Sequence, residues 1–186
     1  MSGQIIFFVL VATWVAFDTY ILITRDGRQR LPVEERVSKF VMVSCIIVGM
    51  ALPVMLSESA QAAWQEPFGP LRRFGLLVML SGILGRVYII RWFGAGFTVE
   101  VRTPSHLHTS GPYRHIRHPA YAAELTIALG VALAFLHPIT SLPAIILPTF
   151  GLLFRIRAEE RVLRKTLGED YHRYAARTKR LIPFVY

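Results

Sequence analysis

The chain has 186 residues, of which 53% are hydrophobic, with a mean hydropathy of +0.44 and a formal net charge of +9. Soluble domains carry roughly 45–50% apolar residues even with Gly counted, so the composition excludes an ordinary soluble domain and predicts an all-α integral membrane protein. The single Cys, Cys45, lies inside an apolar run, which excludes a disulfide framework and a thiolate metal site.

The chain opens almost at once on IIFFVLVATWVAF, without the early basic region and small-residue cleavage site of a secretory leader, so this stretch is expected to be a first span. A helix rising about 1.5 Å per residue needs about 20 apolar residues to cross a hydrocarbon core about 30 Å thick. Five spans are predicted on that basis, near residues 3–23, 39–57, 71–92, 120–136 and 139–156, within a single membrane domain covering 1–186. Between Ala120 and Phe154 there is no Lys or Arg and only one charge, Glu124. A single helix through that stretch would be about 52 Å long. A tight hairpin is therefore expected, broken at His137-Pro138, because Pro cannot continue the upstream hydrogen-bond ladder and disfavours helix at the residue before it. Pro143 and Pro148 are expected to kink the fifth span. Gly94-Ala95-Gly96 follows a span and lacks a βαβ context, so it reads as a turn. From Arg155 onward Leu163, Leu167, Tyr171 and Tyr174 recur at helical spacing, which predicts a cytoplasmic C-terminal helical segment interrupted near Gly168.

Loops rich in Lys and Arg stay on the cytoplasmic side. Arg25, Arg28, Arg30, Arg36 and Lys39 follow span one; none follow span two in 58–70; Arg91, Arg102, Arg114 and Arg117 lie in 91–119; and nine basic residues lie from Arg155 onward. The alternation puts the N-terminus outside and the C-terminus in the cytoplasm, with Arg72 and Arg73 the one exception. A plasma or inner membrane is expected if the source is a prokaryote. Topology and attraction to anionic membrane lipid account for the basic excess, so no nucleic-acid partner is expected.

Two polar blocks flank the uncharged stretch. The first, His106 to Tyr121, holds four of the six histidines together with Tyr113, Arg114 and Arg117. Imidazole suits zinc and iron, but a di-iron centre needs more histidines than the chain has, so no metal is expected. The second block offers Glu159 and Glu160, then Tyr171, Tyr174 and Arg177. Adjacent helical residues point about 100° apart and seldom act as a carboxylate dyad. Alone, the block reads as a solvated charged helix with Glu160 and Arg164 as an i,i+4 pair.

Taken together, the blocks carry Gly111 and Tyr113; Arg117, His118, Pro119 and Tyr121; an apolar hairpin; Glu159, Glu160 and Leu163; Gly168, Tyr171 and Tyr174; and finally Arg177 and Pro183. In order and spacing this resembles the isoprenylcysteine carboxyl methyltransferase and phospholipid methyltransferase superfamily of integral membrane enzymes. The resemblance covers roughly the C-terminal 80 residues, with Ala122-Ala123 standing where a Gly often follows the motif and Leu167 where an aromatic residue often precedes the Gly. It implies S-adenosyl-L-methionine as cofactor, held by His118, Tyr121 and Glu159 or Glu160, with Leu107, His108, Gly111, Tyr113, Arg117 and Pro119 forming the adjoining wall and Tyr171 and Tyr174 closing it. Arg177 near the acceptor, and Glu160, are the residues it implies for catalysis. The acceptor would be lipophilic: the carboxylate of an isoprenylcysteine-like substrate, or alternatively an ethanolamine lipid headgroup. The chain ends in Pro-Phe-Val-Tyr without a prenylation box, so it is not expected to be its own substrate.

Charged residues inside spans are costly unless they face a cavity or each other. Asp18, Arg86 and Glu124 raise that question: Glu124 is expected either to border the cofactor site, three residues beyond Tyr121, or to pair with Arg86. A transporter would show inverted repeats and midplane polar residues, and no repeat is seen. A non-catalytic scaffold would bind lipid through its basic tail without a nucleotide-like ligand.

Overall fold

The computed structural model describes residues 3–25, 33–55, 69–94, 107–135 and 138–182, and these form five helices without a β-strand. They are α1 (Gly3–Arg25), α2 (Val33–Met55), α3 (Pro70–Phe93), α4 (Pro119–Phe135) and α5 (Pro138–Arg177). Three of them begin on proline, whose fixed φ and missing N–H suit a first helical position. Glu34 and Glu35 lie in the first turn of α2, where the helix dipole favours negative charge. Gly94 ends α3 with φ 69°, donating its N–H to carbonyls of the last turn.

Small residues set how closely these helices approach. A Cβ on Gly82 would stand 2.8 Å from the Ile127 backbone, and Gly130 lies against the Met79 backbone, so α3 and α4 pack nearly main chain to main chain. Gly151 meets Cys45 and Gly49 meets the Pro148 ring in the same way, locking α2 to α5. Phe7, Trp14, Met50, Met79, Ile83, Ile127, Val131 and Ala144 join all five helices in one apolar core.

The distribution of charge is inverted relative to a water-soluble domain. Arg86, Glu124, Arg155 and Glu160 are buried, while Ile23, Phe40, Met55 and Leu77 are exposed. Four helical segments are long and apolar enough to cross a membrane, and α4, with 17 residues, is a shorter apolar helix. The fold is that of an integral membrane protein.

Arg86 is the polar fastener of this core. Its Nε lies 2.7 Å from Asp18 Oδ1 and 3.3 Å from Glu124 Oε2, and its Nη1 donates to the Ala120 carbonyl at 3.1 Å. The Trp14 indole N–H donates to Glu124 Oε2 at 3.4 Å. Of the two roles expected for Glu124, the structure has the pairing with Arg86, and that pairing ties α1, α3 and α4 together.

The fifth apolar segment runs without a break from Pro138 into the C-terminal segment, and the expected interruption of that segment falls at Gly168 (φ 49°, ψ −124°), beyond which helix resumes to Arg177. Pro143 and Pro148 lie inside the helix with helical backbone angles, and the Pro148 ring packs against Gly49. His137, Ala95 and Gly96 lie outside the described residues.

Candidate active site at the ends of α4 and α5

The chain before α4 is shaped by Gly111. Its φ of 56° is a left-handed angle, and a Cβ there would run into the Trp92 indole, so glycine is required on both counts. A four-residue 3-10 turn, Gly111–Arg114, then lays Tyr113 against Phe93 and Trp92, with ring centroids 5.5 and 5.8 Å apart. His108 packs on Phe93 at 4.3 Å.

Beyond this turn the first block pairs with the second. Ile116 and Lys179 form an isolated parallel bridge, with Arg117 N–H donating to Lys179 O at 2.7 Å and His118 N–H to Arg180 O at 3.0 Å. The Arg117 guanidinium caps the end of α5, donating to the carbonyls of Ala175 and Thr178. The Tyr174 hydroxyl donates to the Tyr113 carbonyl at 2.8 Å. Residues some 60 positions apart in sequence are thereby fixed to one another by main-chain bonds of the bridge and by the Arg117 and Tyr174 side chains.

Glu160 is the electrostatic centre of this junction. It is 2% exposed and accepts from Arg117 Nε at 3.0 Å, Arg180 Nη2 at 3.0 Å and Arg164 Nη2 at 3.2 Å. Burial opposes its ionisation, but the hydrogen-bonding guanidinium groups of Arg180 and Arg117 hold its carboxyl well below the usual carboxylate range. Burial pushes the Tyr171 and Tyr113 phenols up and raises Tyr174 to about 12, so all three are neutral donors at physiological pH.

Around Glu160 lies a set of side chains whose polar atoms are not consumed. His118 stacks on Tyr121 with centroids 5.6 Å apart and planes 12° from parallel. Its Nε2 is 3.5 Å from Glu160 Oε1 and its Nδ1 is 3.7 Å from Glu159 Oε2, both too long for a good hydrogen bond. His118 Nε2, Glu159 Oε2 and Tyr171 Oη are buried without a hydrogen-bond partner among the described residues. Such groups are costly unless something bonds them.

The Tyr121 phenol lies where the charges of Glu159 and Arg155 both act on it. Arg155, wholly buried, donates from Nη1 to Ser38 Oγ at 2.7 Å and to the Glu35 carbonyl at 3.2 Å, and its Nη2 lies 3.5 Å from Glu35 Oε1.

The expected residues thus fall into three groups. Arg117, His118, Tyr121, Glu159 and Glu160 come together, with Tyr171 packed on Tyr174 beside them, while Gly111, Tyr113, Pro119 and Tyr174 shape the backbone around them. Leu107 is half-buried and His108 is exposed at the edge, and Arg177 is exposed at the last position of α5. His106 and Pro183 lie outside the described residues. Arg155, Arg180, Trp92, Glu35 and Ser38 escaped the sequence reading. Arg155 and Arg180 sit in a run of basic residues that looks uniform until burial separates them, and Glu35 and Ser38 resemble ordinary helix-start residues.

The sequence model of the isoprenylcysteine carboxyl methyltransferase (ICMT) family matches residues 75–165. Over that stretch the chain is similar to the ICMT family. The match takes in α3, the first polar block, α4 and the part of α5 that bears Arg155, Glu159 and Glu160. Protein-S-isoprenylcysteine O-methyltransferase B of Arabidopsis thaliana is 30% identical over 119 residues, 62% of this chain and 60% of the relative. Protein-S-isoprenylcysteine O-methyltransferase A of the same plant is 29% identical over 116 residues, 60% of this chain and 59% of the relative. A probable protein-S-isoprenylcysteine O-methyltransferase of Oryza sativa subsp. indica is 29% identical over 115 residues, 60% of each chain. The chain spans about 60% of the length of the curated relatives it matches. The matched stretch includes Arg117, His118, Glu159 and Glu160 of the junction.

Proposed function

We propose that this protein transfers a methyl group from S-adenosyl-L-methionine to the carboxylate of a lipophilic, isoprenylcysteine-like acceptor at the cytoplasmic face of a membrane. The observation that carries the reading is the trio of unpartnered buried atoms, His118 Nε2, Glu159 Oε2 and Tyr171 Oη, gathered by a junction that lies largely within the ICMT-family match. Their chemistry suits the cofactor. A carboxylate is what an ammonium group requires, neutral donors suit its polar edges, and aromatic faces such as His118 on Tyr121 favour a sulfonium. Glu159, with a side chain 25% exposed, is the carboxylate assigned to the cofactor, and Glu160 holds the junction together through its arginines. When bound, the cofactor supplies an electrophilic methyl group.

The acceptor carboxylate is already ionised at neutral pH, so no side chain has to remove a proton. Glu160, kept ionised among arginines, contributes field and rigidity. Positioning and electrostatics then carry the reaction, with Arg155 as a buried cation acting on Tyr121 and Glu159 and with Arg177 at the surface to attract an anionic acceptor. The topology that fits places the N-terminus outside, the C-terminus in the cytoplasm and α4 and α5 as a hairpin, so that the acceptor enters from lipid and the cofactor from water.

The test is equilibrium binding of S-adenosyl-L-methionine to the detergent-purified protein, with His118→Ala and Glu159→Ala as variants. No binding by the parent protein at millimolar cofactor would defeat the reading. Labelled cofactor supplied with a prenylcysteine analogue and a lipid extract then identifies the acceptor: a base-labile methyl product marks an ester, and a base-stable headgroup product marks N-methylation.

A further inference from the structure

The family match begins at residue 75, so α2 lies wholly outside it. Yet α2 reaches the site. Arg155 is the largest fully buried side chain in the protein's described residues, and its guanidinium is held from the α2 side by Ser38 Oγ at 2.7 Å, the Glu35 carbonyl at 3.2 Å and the Glu35 carboxylate at 3.5 Å. Ser38 and Glu35 are themselves 1% and 4% exposed, and the Ser38 hydroxyl donates to the Glu35 carbonyl at 3.0 Å. On its other side Arg155 interacts with Tyr121 and Glu159.

We infer that Glu35 and Ser38 are positioning residues of the site: they set the guanidinium of Arg155, and through it the side chains of Tyr121 and Glu159. The inference rests on the reading that Tyr121 and Glu159 hold the cofactor. Three physical facts support a fixed relay. An arginine carries about 2 kcal/mol of rotamer entropy, so one placed by chance would be a poor anchor. Here two α2 residues remove that freedom. A planar guanidinium also transmits orientation, because its donors point along fixed directions. Finally, α2 cannot slide along α5, since Gly49 and Gly151 interlock with Pro148, Met42 and Cys45 and a second ion pair joins Glu34 to Arg161 at 3.3 Å. The position of Ser38 is therefore set by the same packing that sets the helix pair. A merely structural ion pair would stabilise that pair without altering how Tyr121 is held.

The experiment uses the full chain in detergent with 3-fluorotyrosine at position 121, read by fluorine NMR without ligand, together with S-adenosyl-L-methionine binding. Ser38→Thr and Ser38→Val add the same bulk and differ only in the hydroxyl. The expected result is that Ser38→Thr keeps the parent resonance and affinity, whereas Ser38→Val displaces or splits the resonance and weakens binding about tenfold, the loss of one charged hydrogen bond. Glu35→Gln, which changes no volume, is expected to act as Ser38→Val does, and it decides the matter should both Ser38 variants fail to fold. An unmoved resonance in Ser38→Val and Glu35→Gln, with affinity within about twofold of the parent, would overturn the relay. If the parent protein binds no S-adenosyl-L-methionine, the proposed function falls, and the fluorine spectra alone judge whether α2 positions Tyr121.

Discussion

Two buried ionic clusters in this protein solve the same problem in opposite ways. The Asp18–Arg86–Glu124 cluster closes on itself: two carboxylates from different helices share one guanidinium, Trp14 adds a donor, and one oxygen, Glu124 Oε1, is left without a hydrogen bond. The junction around Glu160 is closed at its centre and open at its edge, because the arginines are spent on Glu160 while His118, Glu159 and Tyr171 each keep a buried polar atom without a hydrogen-bond partner among the described residues. A network whose charges pair chiefly with one another stabilises a fold. One that gathers unsatisfied atoms from several elements toward one place is suited to a ligand.

The contrast can be broken by mutation. Arg86→Ala strands two carboxylates among apolar helices, and breaking such a cluster from one side costs about 3–5 kcal/mol. The thermal unfolding midpoint in detergent should fall sharply, while cofactor affinity of the folded fraction stays within about threefold of the parent. Preserved stability in that variant would mean the cluster is not a fastener.

Glu160→Gln removes the common anion of Arg117, Arg164 and Arg180 and should cost about 2 kcal/mol, somewhat less because Arg164 and Arg180 are partly exposed. Its effect on pH dependence has a definite sign. Because the folded state depresses the Glu160 pKa, its ionisation stabilises the fold above the ordinary carboxylate range, and that contribution is lost as pH falls toward the depressed value. Unfolding followed from pH 7 downward should therefore show a flatter acid limb in the Gln variant than in the parent.

A matched pair of carboxylate neutralisations sharpens the comparison further. Glu159→Gln should weaken S-adenosyl-L-methionine binding about tenfold or more, the equivalent of about 1.4 kcal/mol, with unfolding little changed. Glu124→Gln should do the reverse, lowering stability and sparing affinity. If both variants lost affinity equally, the two clusters would be one site. The smallest effect is expected at Arg177, which is exposed. Arg177→Ala should raise the acceptor KM by less than about threefold at low salt, a difference that disappears at high salt because exposed charges are screened over about 10 Å at 0.1 M.

Helix positions were legible in the sequence because length and hydropathy are local: the expected spans and the observed helices agree to within a few residues at most of their ends. The site was legible only in part. His118, Tyr121 and the two glutamates stood out through the order of the motif, but the choice between Glu159 and Glu160 did not, since neighbours on a helix differ only in azimuth, and azimuth is set by what the helix packs against. The same limit hid Arg155. It is one of nine basic residues from Arg155 to the end of the chain, and its burial follows from α2 lying across α5.

The sequence by itself determined that the chain is helical and membrane-like, where its polar blocks lie and which family pattern they carry, because composition, periodicity and motif order are properties of neighbouring residues. Tertiary structure alone decided that Ile116 pairs with Lys179, that Glu160 gathers three arginines, that Glu124 belongs to Arg86, and that α2 reaches Arg155. Each of these is a contact between segments distant in sequence. The cost of an unpaired buried charge is what selects them, and only the packed helices determine which charges are buried.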